Sequence, residues 1–216
     1  MIITIDGPAG SGKSTVARLL AERLNVRFLD TGAMYRAVAL AVLDASADEH
    51  DHAAVADVAR TITISFDQQR LLLNGRDVTA EIRSPAVTAI SSIVASNPIV
   101  RERLVELQRE IGRLGSMVTE GRDQGTVVFP HAEYKFFVKA DLEARARRRQ
   151  RELVHEGVNQ PVHVVMDQLR QRDERDENRT HAPMKPAANA EIIDTSNLTI
   201  AEVVDAMIHR VQGRNS

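Results

Sequence analysis

The chain contains no cysteine, and aromatic residues make up only 3% of its 216 residues. Without cysteine it has neither a disulfide framework nor a thiolate metal site, so nothing points to an oxidising compartment. So few rings leave little for stacking single-stranded bases, and a formal net charge of -2 does not favour nucleic acid as a partner. We therefore expect neither a disulfide-rich secreted protein nor a nucleic-acid binder.

Long apolar runs are missing too. No stretch approaches the roughly 20 apolar residues of a membrane helix. The opening Met1-Ile2-Ile3-Thr4-Ile5-Asp6 lacks a basic region and reaches a charge too early for a signal peptide. With 43% hydrophobic and 27% charged residues, the composition is that of an ordinary globular chain. We expect a cytoplasmic protein with one main α/β core and no membrane partner.

A glycine-rich segment follows the first apolar run. Ile2–Ile5 is short and β-branched and predicts a buried parallel strand, whereas the apolar spacing over Lys13–Leu24 predicts a helix. The residues between them fit the pattern G-x-x-x-x-G-K-[ST] of a phosphate-binding loop, the Walker A motif. Backbone N–H groups of such a loop and the positive end of the following helix converge on phosphate oxygens. The predicted ATP-binding residues are Gly7, Pro8, Ala9, Gly10, Ser11, Gly12, Lys13, Ser14 and Thr15.

Within this loop, two side chains have predicted roles. Lys13 would hold the β- and γ-phosphates, and the Ser14 hydroxyl would ligate Mg²⁺. The loop does not say where the phosphate goes, because GTPases, motor ATPases and small-molecule kinases share it. A nucleotide-binding switch that does not turn over is a further alternative, and it would need an effector surface that the sequence does not show.

Further elements complete an α/β pattern. Thr61–Phe66 alternates in polarity, and Leu71-Leu72-Leu73 runs into Asn74-Gly75, which predicts a hairpin and a small antiparallel sheet. Asn97-Pro98 predicts the start of a helix that continues to about Arg113. Its predicted core stripe is Val100, Leu104, Leu107, Ile111 and Leu114, with Arg101 off the stripe. Strands are predicted at 26–29, 116–119, 134–138 and 191–194, a charged helix at 164–177, and a capping box at Thr199 and Glu202.

Three polar motifs follow the loop. Asp30-Thr31-Gly32-Ala33-Met34-Tyr35-Arg36 comes after the second strand, where ligands of an open α/β sheet collect. Gly121–Pro130 is glycine-rich, and Arg172, Asp176 and Arg179 have the spacing of one helix face. Read together, GPAGSGKST, DTGAMYR, EGRDQGTVVFP and RDERDENR resemble the bacterial cytidylate kinases in order and separation, over nearly the whole chain.

The resemblance implies a P-loop three-layer α/β fold with a central parallel sheet, an inserted small antiparallel sheet in the NMP-binding region and a mobile lid. The implied core is 1–35, 98–144 and 162–216, the NMP-binding insert is 36–97, and the lid is 145–161. The implied reaction moves the γ-phosphate of ATP, with Mg²⁺, onto CMP or dCMP to give CDP or dCDP and ADP in pyrimidine nucleotide metabolism. We expect a monomer. The alternative is another P-loop small-molecule or nucleoside-monophosphate kinase.

The same resemblance assigns the acceptor residues. Thr31, Arg101 and Asp123 would face cytosine, and Ser92, Arg172 and Asp176 would bind the sugar. Arg36, Arg122 and Arg179 would clamp the CMP phosphate. A carboxylate such as Asp123 accepts from the cytosine N4 amine, whereas uracil presents a carbonyl oxygen there. Such a buried mismatch costs about 1 to 3 kcal/mol, which favours CMP over UMP by roughly one to two decades. One departure is Gln124, where the family usually has an aliphatic residue.

Several charged residues have two interpretations. The run Arg145, Arg147, Arg148, Arg149 and Arg151 predicts a helix leading into a mobile lid hinged near Gly157, and its alternative is a solvated basic face. The predicted catalytic residues are Lys13, Arg122, Arg148 and Arg149. Glu120 would assist Mg²⁺ through water or order its loop. We expect solvated positions for Asp173 and Arg175, and surface positions without metal-ligand spacing for His131, His155 and His181.

Overall fold

A computed structural model describes residues 1–67, 70–155 and 157–213. In chain order its helices and strands are β1 (Ile2–Asp6), α1 (Lys13–Leu24), β2 (Arg27–Asp30), α2 (Thr31–Asp44), α3 (His52–Thr61), β3 (Ile64–Asp67), β4 (Arg70–Leu73), β5 (Arg76–Asp77), α4 (Pro85–Val94), α5 (Pro98–Arg113), β6 (Met117–Gly121), β7 (Tyr134–Lys139), α6 (Leu142–His155), α7 (Val162–Glu177), β8 (Glu191–Asp194) and α8 (Ile200–Gln212). A 3₁₀ turn covers Glu81–Arg83, and a π-helical turn covers Gln124–Val128.

The chain forms two compact units. The first comprises Met1–Leu29 together with the described residues from Gly112 onward, and the second is Asp30–Ile111. The predicted insert, 36–97, falls within the second unit. Its predicted boundaries, and those of the lid at 145–161, stay predictions. Six residues lie outside the described ones: Gln68 and Gln69 of the predicted insert, Glu156 of the predicted lid, and the last three residues, 214–216, of the predicted core.

The first unit is built on a five-stranded sheet in the order β2-β6-β1-β7-β8. β1 pairs in parallel with β6 and β7, and β7 pairs in parallel with β8. Because β1 is central, Ile3 and Ile5 are fully buried, and they pack in one cluster with Val16 and Leu20 of α1 and Met207 of α8. The sheet confirms the predicted α/β fold class and brings the carboxyl ends of β1, β6 and β7 to one edge.

Helix ends in this unit follow their local sequence. α1 ends at Asn25, which adopts φ 52° and donates its N–H to Ala21 and Glu22 carbonyls. α8 begins at the predicted capping box, since Thr199 Oγ1 accepts from Glu202 N and the Glu202 side chain accepts from Thr199 N. Within the described ranges, no helix is both long enough and apolar enough to cross a membrane.

The second unit carries a three-stranded antiparallel sheet, β3-β4-β5, beside α2 to α5. Asn74 and Gly75 adopt φ 51° and 79° between β4 and β5, so the predicted hairpin turn is confirmed. The strand predicted from Thr61 is wrong at its start, because Thr61 is the last residue of α3 and β3 begins at Ile64. Arg103 donates to the carbonyls of Arg60 and Ile62 at that helix end, a tertiary contact that sequence periodicity does not report.

α5 confirms its predicted start and corrects its predicted face. Asn97 Oδ1 accepts from the backbone of Ile99 and Val100 at 3.0 and 3.4 Å. Leu114 is 76% exposed, so its assignment to the core stripe is wrong: the helix ends one residue earlier. Arg101, predicted to lie off the apolar stripe, is also buried. Its guanidinium lies 5.8 Å from the centre of the Tyr35 ring and donates to a backbone carbonyl, which satisfies the charge inside the unit.

Candidate active site

The glycine-rich loop joins the end of β1 to the start of α1, as predicted. Gly12 stands at the N-cap of α1 and has no side chain with which to cap the first turn. The helix N–H groups there suit an anion. Lys13 is buried, and its Nζ donates to the Pro8 carbonyl at 3.1 Å and lies 3.9 Å from Glu120 Oε2. The lysine predicted to hold phosphate is therefore bent back over its own loop.

The charge of Lys13 is held in a buried, electropositive setting. Burial, together with the Arg122 guanidinium, lowers the pKa of the Lys13 ammonium to about 7, although the Glu120 carboxylate acts to raise it. Arg172 adds to the lowering, and Asp176 opposes it. Lys13 thus shares one electrostatic environment with residues predicted for the acceptor side.

Ser14 and Glu120 form the oxygen pair of the cradle. Ser14 Oγ donates to Glu120 Oε1 at 2.8 Å, and both residues lie where β6 ends beside the loop. A hydroxyl and a carboxylate are hard oxygen donors of the kind that Mg²⁺ takes, usually with several waters. Among the described residues no group of three or more His, Asp or Glu is placed to hold a metal ion. His131, His155 and His181 are exposed, as predicted. The pair fits an ion that arrives with the nucleotide.

Helices α6 and α7 hold the loop through one buried ion pair. Asp173 Oδ1 accepts from Ala9 N at 3.2 Å, Arg145 donates to Ala9 O at 3.0 Å, and the two side chains pair with each other. The predicted solvated position of Asp173 is therefore wrong: the residue is 8% exposed. Arg175 is exposed, as predicted. Sequence reasoning missed this pair because Asp173 and Ala9 are 164 positions apart.

The other arginines of the basic run differ among themselves. Arg148 donates to the hydroxyl and the carbonyl of Thr195, and the Thr195 hydroxyl in turn donates to the loop carbonyl of Ser11 at 3.2 Å. Arg149 pairs with Glu152 at 2.9 Å on the same helix. Arg147 pairs with Glu143 on an exposed face. Arg148 is thus one residue removed from the loop, whereas the catalytic roles predicted for Arg148 and Arg149 stay predictions.

Four predicted acceptor residues, three arginines and the carboxylate of Asp176, form one cluster in the first unit. Arg122 Nε donates to Asp176 Oδ2 at 2.8 Å, and Arg179 donates to Asp176 Oδ1. Burial acts to raise the pKa of Asp176, but Arg122, Arg179 and Arg172 outweigh it and hold that pKa below its ordinary value. Asp176 therefore keeps its charge and fixes two guanidiniums.

The prediction that Arg172, Asp176 and Arg179 share one helix face is wrong for Arg179. α7 ends at Glu177, and Asn178 closes it by donating its N–H to the Glu174 carbonyl. Arg179 nevertheless donates to the Asp176 side chain. The chain turns back after α7, and Met184 N donates to the Asp176 carbonyl at 2.8 Å. A turn made by residues further along the chain, rather than helical spacing, places the second guanidinium.

Asp123 stands at the entrance of the π-helical turn. Its side chain is buried, and its carbonyl accepts from Val127 N at 2.9 Å. Gln124, the departure from the family pattern, is also buried, and its Oε1 accepts from Thr119 Oγ1 at 3.0 Å. The amide is therefore a structural hydrogen-bond partner of β6.

Asp6 is a buried carboxylate that sequence reasoning missed. Its two oxygens accept from Gln124 N and Gly125 N, each at 2.8 Å. Burial, together with the neighbouring Asp123 charge, raises the pKa of the Asp6 carboxyl to about 7, although the two N–H donors act to lower it. An acid at the end of an otherwise apolar central strand was the available sequence indication.

The remaining predicted acceptor residues lie in the second unit. Asp30 Oδ1 accepts from Ala33 N at 2.8 Å and so caps α2, and its other oxygen lies 3.3 Å from Arg36 and 3.6 Å from Arg83. Thr31, Ser92 and Arg101 are buried in the same unit. Arg83 was missed, since nothing in its local sequence marks it. The nine predicted acceptor residues thus divide as five in the first unit and four in the second.

Comparison with known proteins shows the family to which the chain belongs. The family model described as cytidylate kinase matches residues 3–213. The chain is 48% identical to a cytidylate kinase of Pelotomaculum thermopropionicum over 97% of this chain and 95% of the relative. It is 47% identical to a cytidylate kinase of Chlorobaculum tepidum over 96% and 91%, respectively.

The fold alone is also similar to a solved structure. A crystal structure of an uncharacterized protein from Eubacterium ventriosum matches with a TM-score of 0.55 and 16% identity over 98% of both chains.

The family model covers almost the whole chain, and the relatives match over nearly their full lengths. The phosphate-binding loop, the arginines gathered on Asp176 and these matches together establish that the chain belongs to the cytidylate kinase family.

Proposed function

We propose that this chain transfers the γ-phosphate of ATP to CMP or dCMP, giving ADP and CDP or dCDP. The observation that carries the proposal is a buried loop lysine, Lys13, whose Nζ lies 3.9 Å from Glu120 Oε2, in the same unit as Arg122, which donates to Asp176 at 2.8 Å. The Arg122 guanidinium lowers the pKa of Lys13. A donor-phosphate lysine and an acceptor-phosphate arginine then act on one centre. Phosphoryl transfer needs this kind of positioning and charge neutralisation and no covalent intermediate.

On the donor side, Lys13 and the loop N–H groups bind the phosphates of ATP. Phosphate binding draws Lys13 away from the Pro8 carbonyl and restores its full positive charge. Ser14 and Glu120 would hold the nucleotide's Mg²⁺, directly and through water, and the ion would neutralise charge on the β- and γ-phosphates. Arg148 or Arg149 would complete the site from α6 when the lid closes.

On the acceptor side, Arg36, Arg122 and Arg179 clamp the CMP phosphate. Ser92, Arg172 and Asp176 bind the sugar, while Thr31, Arg101 and Asp123 bind the base. The support for these roles is that Arg122, Arg172, Asp176 and Arg179 form one cluster, and that Thr31, Ser92 and Arg101 are buried polar groups of the second unit. A cytoplasmic monomer without nucleic-acid or membrane partners completes the proposal.

A panel of acceptors tests the proposal. ADP release is measured with Mg-ATP and, in turn, CMP, dCMP, UMP, AMP and shikimate, and with no acceptor. We expect the fastest turnover on CMP or dCMP and little ADP without acceptor. Faster turnover on AMP or shikimate would establish the alternative kinase reading, and ATP binding without acceptor-dependent ADP release would establish a switch.

A pair of variants on one segment checks that the site carries the activity. Arg179→Ala removes a guanidinium from Asp176, and we expect kcat/KM for CMP to fall by about 100-fold, as for the loss of a charged hydrogen bond to phosphate. Arg175→Ala is the matched control, since this arginine is exposed and donates to the Gln171 carbonyl of its own helix at 3.1 Å. Equal losses in both variants would contradict the proposed phosphate clamp.

A further inference from the structure

The carboxylate of Asp6 makes a pair of contacts that the proposed reaction does not use. Asp6 ends the central strand β1 and immediately precedes the phosphate-binding loop. Both of its oxygens are occupied by backbone donors of the π-helical turn, Gln124 N and Gly125 N, at 2.8 Å each. The residue is 3% exposed, so this is a buried pair of hydrogen bonds from two backbone donors to one carboxyl group.

These two donors belong to the residues that directly follow Asp123. The turn that they begin is a wide π-helical one, in which Asp123 O accepts from Val127 N and Val128 N. Asp123 itself has φ -143° and ψ 21°, outside the helical region. Because Asp6 fixes the two peptides after Asp123, it fixes the direction in which the backbone leaves Asp123.

Close packing makes this arrangement specific. A Cβ on Gly125 would stand 2.9 Å from Thr4 Oγ1 and 3.4 Å from Asp6 Oδ2. Only glycine therefore lets this backbone approach β1 closely enough to donate to Asp6. Thr4 Oγ1 is buried and makes no hydrogen bond within the described part of the chain, so it contributes no comparable restraint.

We propose that Asp6 is a positioning residue for acceptor choice: by holding the backbone at Gln124 and Gly125, it aims Asp123 at the acceptor base. This inference rests on the proposed function. Asp6 would not touch CMP. Its contribution would appear as discrimination between CMP and UMP, because that choice depends on whether a carboxylate accepts from the base N4 amine at the right place.

The test is the ratio of kcat/KM for CMP to kcat/KM for UMP, measured in the wild-type chain and three variants. A ratio is independent of how much of each preparation is folded and active. Asp6→Asn removes one acceptor oxygen, and Gly125→Ala pushes the same backbone away from β1. We expect each to lower the ratio about tenfold, the size of one lost hydrogen bond, with KM for ATP changed less than about threefold.

Ile3→Val is the matched control, since Ile3 is buried on the same strand but packs in the hydrophobic cluster with Val16 and Leu20, away from the Asp6 contacts. We expect its ratio to equal that of the wild type. An unchanged ratio in Asp6→Asn, or a rise of KM for ATP as large as that for CMP, would overturn the inference while leaving the proposed function intact. A wild-type chain with no CMP turnover would overturn the proposed function and this inference with it.

Discussion

Both units use an aspartate to hold arginines that we assign to the CMP phosphate, but they do so at different depths. In the first unit, Asp176 holds Arg122 and Arg179, and its side chain is 2% exposed. In the second unit, Asp30 lies 3.3 Å from Arg36 and 3.6 Å from Arg83, and its side chain is 12% exposed. Aspartate–arginine ion pairs therefore occur both in the interior of the first unit and nearer to solvent in the second.

The difference in depth predicts a difference in energy. A buried carboxylate that loses its charge leaves its guanidiniums uncompensated, which costs about 3 to 5 kcal/mol. A pair near solvent is screened and contributes about 1 kcal/mol or less. We infer that Asp176 is a fixed part of the acceptor site, whereas Asp30 gives up Arg36 to a substrate phosphate at little cost.

Asp176→Asn is expected to have the largest effect. It leaves Arg122 and Arg179 without the charge that holds them and removes a predicted sugar ligand. We expect the free energy of unfolding in urea to fall by about 3 kcal/mol and kcat/KM for CMP to fall by at least about 100-fold. An effect no larger than that of Asp30→Asn on both quantities would remove the distinction between the two sites.

Asp173→Asn separates the donor side from the acceptor side on the same helix. Asp173 is buried like Asp176, but it holds Ala9 of the phosphate-binding loop together with Arg145. We expect KM for ATP to rise about tenfold, the effect of weakening a charged hydrogen bond to the loop, with a smaller change in KM for CMP. Steady-state kinetics with each substrate varied in turn measures both, and a larger effect on CMP would contradict this assignment.

The contiguous parts of these sites were predictable from sequence. The loop, the start of α1 and the α8 capping box depend on neighbouring residues, and each is confirmed. Long-range contacts were not predictable. Asp173 lies on a polar helix among other charged residues, and nothing in the local sequence indicates that it accepts from Ala9 N. Asp6 likewise needs Gln124 N, 118 positions away, before its burial has an explanation.

Boundaries failed where another element decides them. Thr61 alternates in polarity with the residues that follow, yet it is the last residue of α3, where Arg103 donates to the carbonyls of Arg60 and Ile62. Leu114 continues the apolar spacing of α5, but the helix stops at Arg113 and leaves Leu114 in solvent. Apolar spacing predicts a buried helix face only for residues within the helix.

Asp30→Asn tests the shallow site alone. Asparagine caps a helix as well as aspartate does, so the N-terminus of α2 is preserved while the charge on Arg36 and Arg83 is lost. We expect the free energy of unfolding to change by about 1 kcal/mol or less and KM for CMP to change by a few-fold. A loss of stability equal to that in Asp176→Asn would show that depth does not set the energy.

The smallest expected effect is the uptake of less than one proton per site by Lys13 when Mg-ATP binds. Because burial lowers its pKa to about 7 in the free chain, this lysine is largely neutral at pH 8, and bound phosphate favours the charged form. We expect Mg-ATP binding at pH 8 to take up protons, to at most about one per site, and less at pH 6, where Lys13 is already charged. Calorimetry in two buffers of different ionisation enthalpy gives the number of protons taken up per bound Mg-ATP. Proton release at pH 8 would contradict a lowered pKa for Lys13 in the free chain.

The central claim is that the chain selects a cytosine acceptor, and Asp123→Ala tests it most directly. The measurement is kcat/KM for CMP beside KM for ATP, in the wild type and the variant, over the same preparations. We predict that kcat/KM for CMP falls by about 100-fold, while KM for ATP changes by less than about threefold, because a charged hydrogen bond to the base is lost and the phosphate-binding loop is untouched. Undiminished use of CMP by Asp123→Ala would contradict the account.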